Sequence, residues 1–389
     1  MFKNLDLVIL CGGKGLRIKK LTKETPKPLL KFEGIPFVRY LINFYSKYDF
    51  KNIYFLAGYK GYKFKKLYHD KVINCIKCKV IIEKKFLGTG GALRLLNNKI
   101  KNNFLLINGD SYIDYNLEKF INFKKNKNKI LLIKNKNYLT NKKLSNLNYN
   151  KKNKTTIFSN KKEKLINGGV YYLKKSFLKN ITPKTLSIEN EILPNQIKKK
   201  KFVSMETKGF FIDIGTYKNF FQAKKKLYKN FYKPALFLDR DGVLNYDNRY
   251  VYKFKDFIWM PGIINLLKSY TNKSYYIFIL TNQSGIGRGF YSEEDFFILQ
   301  KKIKNYLLLR GIYIHDLIFC PHHTQAHGKY KKNCNFRKPN NGMFLNILKN
   351  WPIDLNKSLM IGDKITDEIA AKKTGIKFTY YKNIIQKFL

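Results

Sequence analysis

Cysteine is scarce in this sequence, five residues in 389, which is too few for a disulfide framework. Hydrophobic runs are short as well. None reaches the length of a membrane span, and the apolar stretch Leu7–Cys11 leads straight into glycines rather than into a signal-peptide cleavage site. A cytoplasmic, reduced protein with no membrane insertion is expected. Acidic residues are also few, 26 against 77 lysines and arginines, for a net charge of +51. Such a charge suits nucleic acid or an anionic surface only if the cations gather on one face among aromatic residues. Here lysine is scattered through every segment and accompanies abundant Asn, Ile, Tyr and Phe, all residues with A/T-rich codons. No nucleic-acid partner is therefore expected. What remains is a positive field that draws in small phosphorylated molecules.

The length is enough for two domains with full cores. The most informative stretch is Phe237-Leu238-Asp239-Arg240-Asp241-Gly242. Ala235–Leu238 reads as a buried parallel strand, and Asp239 and Asp241, spaced i, i+2, fall on one side of an extended chain at its carboxyl end. Open α/β sheets place their ligand crevice at that end. Two carboxylates there suit a hard cation and a phosphate ester, one attacking phosphorus while the other carries the proton. The plainer alternative is an Asp-rich turn, since such turns are common. Further along, Ile277–Leu280 reads as a strand running into Thr281-Asn282-Gln283-Ser284-Gly285-Ile286-Gly287-Arg288-Gly289. Ser292–Leu309 reads as an amphipathic helix with Ser292 as cap. Arg337-Lys338-Pro339 precedes another helix, and Leu359–Ile361 is a strand followed by Asp363 and, four residues on, Asp367.

The chain's beginning has its own phosphate-binding features. Strand Leu5–Leu10 runs into Cys11-Gly12-Gly13-Lys14-Gly15-Leu16-Arg17, a turn whose backbone N–H groups can face a phosphate. It lacks the dinucleotide-binding spacing of glycines. In Pro26-Lys27-Pro28 the prolines stiffen the backbone around a lysine suited to hold phosphate as a point charge. A helix over Pro36–Tyr48, a strand over Asn52–Leu56, a strand over Val80–Glu83, a helix opening at Gly88-Thr89-Gly90-Gly91 and a strand over Phe104–Ile107 that ends near Asp110 follow. This alternation predicts a parallel α/β sheet. Ile121–Lys164, dense in Lys and Asn, has too little pattern for its elements to be assigned. Gln222–Pro234 reads as a helix end plus a linker. The expected organisation is 1–225 as one domain, 226–234 as linker and 235–389 as a second domain.

The glycine turn, Pro26-Lys27-Pro28, Gly88-Thr89-Gly90-Gly91 and Gly109-Asp110 resemble, in order and spacing, the sugar-1-phosphate nucleotidyltransferases. Asn167-Gly168-Gly169-Val170-Tyr171, Ser187-Ile188-Glu189 and Phe211-Ile212-Asp213-Ile214-Gly215-Thr216 extend the resemblance over about residues 4–222. It implies a Rossmann-like domain in which Gly12, Gly13, Gly15, Gly88 and Gly90 bind nucleotide, Gly168 and Glu189 bind sugar, Asp110 and Asp213 hold Mg²⁺, and Arg17 and Lys27 offset charge as pyrophosphate leaves. The family's usual Gly-Thr-Arg is Gly15-Leu16-Arg17 here. Members closest to these motifs act on mannose- or heptose-type sugar phosphates.

Residues 235–380 resemble the haloacid dehalogenase-type phosphatases, and in detail their heptose bisphosphate and histidinol phosphate branch. The resemblance implies Asp239 as nucleophile and Asp241 as acid and base. It gives Mg²⁺ to Asp239, Asp363, Asp367 and Asp241, the last through its carbonyl. Thr281 and Lys338 stabilise the transferring phosphoryl group, while Asn282, Arg288 and Arg337 contact substrate. That branch carries a zinc loop, Cys-x-His … Cys-x-Cys. Cys320, His322 and Cys334 keep three ligand positions, and Phe336 occupies the fourth. Whether His323 or His327 completes a Zn²⁺ site stays open. Cys75-x-x-Cys78 is half a metal motif with no second half. The two resemblances together imply an enzyme of two α/β domains that removes the 7-phosphate of a heptose 1,7-bisphosphate and joins the 1-phosphate to a nucleoside triphosphate, GTP by analogy, for lipopolysaccharide, capsule or S-layer glycans. A mannose-type sugar phosphate, or a histidinol-phosphatase-like hydrolase in the second domain, are the alternatives. The oligomeric state is not legible.

Overall fold

The computed structural model describes residues 2–85, 87–134, 147–158, 165–182 and 187–389. Its first half contains strands β1 (Asp6–Cys11), β2 (Asn52–Ala57), β3 (Val72–Ile73), β4 (Ile76–Ile82), β5 (Phe104–Asn108), β6 (Ser111–Ile113), β7 (Asn128–Ile133), β8 (Ile166–Leu173), β9 (Phe202–Thr207) and β10 (Phe211–Asp213). Eight of them form one sheet in the order β9-β7-β8-β5-β1-β2-β4-β3, while β6 and β10 pair with each other. β4, β2, β1 and β5 are parallel, as the alternation predicts, but β8 runs antiparallel to both β5 and β7. The sheet is therefore mixed. Consecutive residues of β1 and β2 serve opposite cores: Leu7, Ile9, Ile53 and Phe55 face one, and Val8, Tyr54 and Leu56 the other. A strand buried on both faces has no room for polar alternation, hence the uninterrupted apolar runs.

The second half is a five-stranded sheet of β11 (Ala235–Leu238), β12 (Tyr276–Asn282), β13 (Asp316–Cys320), β14 (Leu359–Gly362) and β15 (Lys377–Tyr380), all parallel, in the order β13-β12-β11-β14-β15. β11 is central, so Asp239 and Asp241 emerge at the carboxyl end of the middle strand.

The helices that matter below are α1 (Phe37–Ser46), α2 (Gly88–Arg94), α3 (Tyr217–Phe231), α4 (Glu293–Leu308), α5 (Gly342–Asn350) and α6 (Ile365–Lys372). Ser292 caps α4 as expected, in a reciprocal capping box with Asp295. The expected linker is mostly helix: α3 continues through 226–231 because Phe220, Ala223, Leu227 and Phe231 keep one buried face. Lys233 is then fastened to the second half, its N–H donating to Pro352 O and its carbonyl accepting from Asp354 N. Of the unassigned 121–164 region, β7 and a short antiparallel pair, Leu147–Tyr149 with Thr156–Phe158, lie within the described residues, while 135–146 and 159–164 lie outside them. No helix among the described residues is long and apolar enough to cross a membrane.

The halves share a polar, buried contact. Arg39 of α1 pairs with Asp316 of β13 at 2.9 Å, and both side chains are nearly inaccessible. Lys304 of α4 donates to Ser46 O, Tyr48 O and Asn74 O, beyond and beside the end of α1. Leu308 of α4 is counted within the first half's core.

Two candidate active sites

The first site is a cleft of about 1080 Å³ at the carboxyl ends of β1 and β5. The glycine turn after β1 forms one wall through Gly12 and Gly13, while Gly15, set back from the lining, turns the chain in the left-handed region at φ 65°, where other residues are strained. Gly12, Gly13, Arg17, Lys27, Gly88, Asp110, Glu189 and Asp213 all line the cleft. Gly90 instead lies buried in α2, and Gly168 buried on β8 beside the lining residue Asn167. β10 pairs with β6 so that Asp213 lies opposite Ser111, the neighbour of Asp110. Ser111 Oγ sits 3.4 Å from a carboxylate oxygen of each acid. Lys27 Nζ pairs with Asp110 at 2.9 Å, and Asp213 accepts from Gly215 N–H and Asn219 Nδ2. Burial alone would raise Asp110, but Lys27 and then Arg17 outweigh it and hold the carboxyl below its ordinary value. Burial and the charge of Asp110 push Asp213 the other way. Two buried acids driven apart by mutual repulsion are a fitting pair for a divalent cation, which lets both ionise.

Glu189 reaches the cleft from a π-helical turn over Ile188–Ile192, where it accepts from Thr89 Oγ1 of α2 at 2.9 Å. Two further contributors carried no sequence signal. Glu83, at the end of β4, accepts from Leu87 N–H and stands against Gly12. Lys218, Gln222 and Lys226 line the cleft from one face of α3, and of these only Lys226 falls in the expected linker.

At the second site, Gly242 turns the chain at φ 86°, and a Cβ there would stand 2.3 Å from Asp363 Oδ2. The turn after β11 thus lies against the acid that follows β14. Ligand oxygens of Asp239, Asp363 and Asp367 lie within 4.8 Å of one another. Lys338 Nζ is buried between Asp239 at 2.9 Å and Asp367 at 2.6 Å, and donates to Leu280 O. Burial, and then the charges of Asp367 and Asp241, push Asp239 up to about 7 against the pull of Lys338. Asp363 Oδ1 is buried with no hydrogen-bond donor among the described residues. A raised acid, a buried unpartnered carboxylate oxygen and an all-oxygen donor set fit Mg²⁺.

Asp241 is turned from this cluster. Its carboxylate accepts from Arg240 Nε and Nη2, Asn245 Nδ2 and Gln283 Nε2, which leaves its carbonyl as the group available to a cation. Gln283 Nε2 also donates to Thr281 Oγ1, which is buried. Asn282 grips the backbone of Lys338 through both amide atoms, so it places the lysine from behind. Arg240 stands between the two acids in sequence, but its role depends on Val251 O, which accepts from Nη2 and fixes the guanidinium beside Asp241.

The loop after β13 gathers Cys320, His322 and Cys334, with ligand atoms within 4.8 Å of one another and Cys320 Sγ 3.7 Å from His322 Nδ1. Burial, and less strongly Cys334, push the Cys320 thiol up to about 12. Two thiols and an imidazole are a donor set that suits zinc, which would draw the thiolates back down. Phe336 packs against an apolar core and offers no ligand atom to the cluster. His323 Nδ1 accepts from Gln325 N–H, and neither His323 nor His327 is part of the cluster. Cys75 and Cys78 are buried, with no metal-ligand cluster around them among the described residues.

A family model described as nucleotidyl transferase matches residues 7–230, and one described as polynucleotide kinase 3 phosphatase matches residues 234–381. The second half is 44% identical over 145 residues, 37% of this chain and 81% of the relative, to D-glycero-beta-D-manno-heptose-1,7-bisphosphate 7-phosphatase of Rhodopseudomonas palustris. It is 38% identical over 164 residues, 39% of this chain and 91% of the relative, to D-glycero-alpha-D-manno-heptose-1,7-bisphosphate 7-phosphatase of Campylobacter jejuni. Among solved structures, HddC from Yersinia pseudotuberculosis aligns with 57% of this chain and 99% of its own, at 28% identity and a TM-score of 0.47. The chain belongs to the nucleotidyl transferase family through its first half, and its second half is a haloacid dehalogenase-like phosphatase domain, so the protein is both a transferase and a hydrolase.

Proposed function

We propose that this chain makes nucleotide-activated heptose in two steps, removing the 7-phosphate of D-glycero-D-manno-heptose 1,7-bisphosphate and then joining the 1-phosphate to a nucleoside triphosphate, GTP in the first instance. The carrying observation is that one chain holds two separate acid centres, Asp110 with Asp213 and Asp239 with Asp363, each at the carboxyl end of its own sheet. The phosphatase relatives act on a heptose bisphosphate, and the product of that reaction is a sugar 1-phosphate, the class of substrate a nucleotidyltransferase consumes. Both co-substrates are intracellular metabolites, which favours the cytoplasm. In this reading the units meet at Tyr232-Lys233-Pro234.

In the phosphatase, an Asp239 oxygen attacks phosphorus and the ester oxygen leaves as the sugar hydroxyl, taking a proton from Asp241. Asp241 then takes a proton from water as the aspartyl-phosphate is hydrolysed. Asp241 must leave its bonds to Arg240 and Gln283 to do so. Lys338 and Thr281 stabilise the transferring phosphoryl charge. Mg²⁺ held by Asp239, Asp363 and the Asp241 carbonyl would neutralise the phosphate and lower the Asp239 pKa, while Asp367 holds Lys338. In the transferase, the sugar 1-phosphate oxygen attacks the α-phosphorus in line, and Arg17 and Lys27 offset charge as pyrophosphate departs. Asp110 and Asp213 would hold the Mg²⁺ of the triphosphate. Cys320, His322 and Cys334 would hold zinc weakly, as a three-ligand site.

The test offers purified protein a panel of sugar phosphates and bisphosphates with each nucleoside triphosphate, following phosphate and pyrophosphate separately. Phosphate release specific to heptose 1,7-bisphosphate, with pyrophosphate release that requires the resulting 1-phosphate, supports the reading. Preference for a mannose phosphate or for histidinol phosphate overturns it.

A further inference from the structure

One loop beside the phosphatase centre is held in a costly backbone conformation. Arg249 and Tyr250 both lie in the left-handed region, at φ 52° and 53°. Neither is Gly, Asn or Asp, and two such residues in succession persist only where the surroundings insist on them. The surroundings are specific. Val251 O, the next residue, accepts from Arg240 Nη2, so the loop hangs from the same guanidinium that fixes Asp241. The Tyr250 ring lies against Gly285, where a Cβ would stand 2.8 Å from Cδ1, in the turn that follows Gln283. It stacks on Phe290 at 4.3 Å between centroids, and Phe290 is half exposed. Arg288 lies over both rings. Nη1 donates to Tyr250 OH at 2.6 Å, and the guanidinium carbon lies 5.8 Å and 5.3 Å from the two ring centres. Arg337 approaches the same region from the zinc-like loop, since its Nη1 donates to His322 O. Gly287, the neighbour of Arg288, packs against the carbonyl of Pro321, where a Cβ would stand 2.5 Å away, and Pro321 precedes His322, so both arginines border one loop.

We infer that Tyr250, with Phe290 as its backing ring, is a positioning residue that fixes the Arg288 guanidinium toward Arg337, and that the resulting pair of cations receives the phosphate the enzyme leaves in place. This rests on the phosphatase reading above. A free arginine samples many rotamers. One clamped by a hydroxyl and two rings has already lost that freedom, so little more is lost when a dianion binds. Arg249 and Tyr250 hold the strained conformation that puts the hydroxyl in place. Orientation of a bisphosphate follows: the ester nearest Asp239 is cleaved and the other is gripped.

Tyr250→Phe keeps the ring and removes only the hydroxyl. Steady-state kinetics on heptose 1,7-bisphosphate and on p-nitrophenyl phosphate, which has no second phosphate, give the readout. The ratio of the two kcat/KM values should fall roughly tenfold, mostly through KM for the bisphosphate. Tyr250→Phe combined with Arg288→Ala should lower it no further than Arg288→Ala alone. Phe290→Leu, which removes the backing ring, should lower the ratio by a smaller factor. If the wild type prefers another bisphosphate, the proposed substrate is wrong and the ratio is read on that one. If it prefers no second phosphate at all, the inference is overturned with it. An unchanged ratio in Tyr250→Phe, or losses that add in the double variant, would show the stack to be packing without a role in orientation.

Discussion

At the residue scale, Gly242 decides whether the phosphatase centre can form. Any side chain there would run into the carboxylate of Asp363, a member of the acidic cluster, and displace it. The φ of 86° adds backbone strain on top. Gly242→Ala is therefore expected to lower phosphate release at least a hundredfold while pyrophosphate release from sugar 1-phosphate stays within about twofold, a difference of roughly 3 kcal/mol in barrier. Near-normal phosphate release in this variant would mean that Asp363 is not held where the cluster requires it. The acids themselves were legible in the sequence. Asp239, Asp241 and Asp363 follow buried strands directly, and chemistry at strand ends is ordered along the chain. Arg240, Gln283 and Glu83 were not, because each acts through a partner distant in sequence: Val251, Tyr291 and Gly12 respectively.

At the element scale, apolar spacing gave the strands and α4, and failed where lysine obscured it. The expected linker begins at Lys226, yet the buried positions Phe220, Ala223, Leu227 and Phe231 continue through the lysine-rich stretch, so the helix runs on to Phe231. β7, with Ile130–Ile133 buried, lies in the Lys- and Asn-dense region for the same reason. That β8 runs antiparallel could not be read from a motif, because Asn167-Gly168-Gly169 carries no direction. The zinc-like loop is the element whose fate is least determined by pattern. Thiolate ligands add folding energy only when a site closes. With Phe336 at the fourth ligand position, the expected outcome is metal that a chelator strips readily, checked by elemental analysis before and after dialysis against the chelator. Phe336→Cys should hold zinc against the same treatment. One zinc per wild-type chain surviving the chelator would mean that a fourth ligand comes from elsewhere.

At the scale of the whole molecule, Lys304 joins the halves. It sits buried with three carbonyl acceptors from the transferase half, and burial lowers it to about 8. An unfolded lysine keeps its proton to higher pH, so between pH 8 and 10.5 the unfolded chain binds more protons than the folded one, and this group's contribution to stability rises with pH there. Lys304→Met lacks the titration. It should be less stable at pH 7 by about 2 kcal/mol, from three carbonyls left without a donor. The gap should then widen by about 1 kcal/mol between pH 8 and 9, as seen in denaturant unfolding. Buried tyrosines titrate alike in both proteins and cancel in the difference. A gap that stayed flat or narrowed would show that Lys304 keeps its charge in the folded state.

The central claim is that one chain carries two independent reactions in sequence, and the direct measurement is product release from two point variants. With heptose 1,7-bisphosphate and GTP, Asp239→Asn should release neither phosphate nor pyrophosphate, yet release pyrophosphate at the wild-type rate once heptose 1-phosphate is supplied. Asp110→Asn should release phosphate normally and no pyrophosphate from either substrate. If either substitution abolished both reactions with every substrate supplied, the two centres would not be separate active sites and the account would fail.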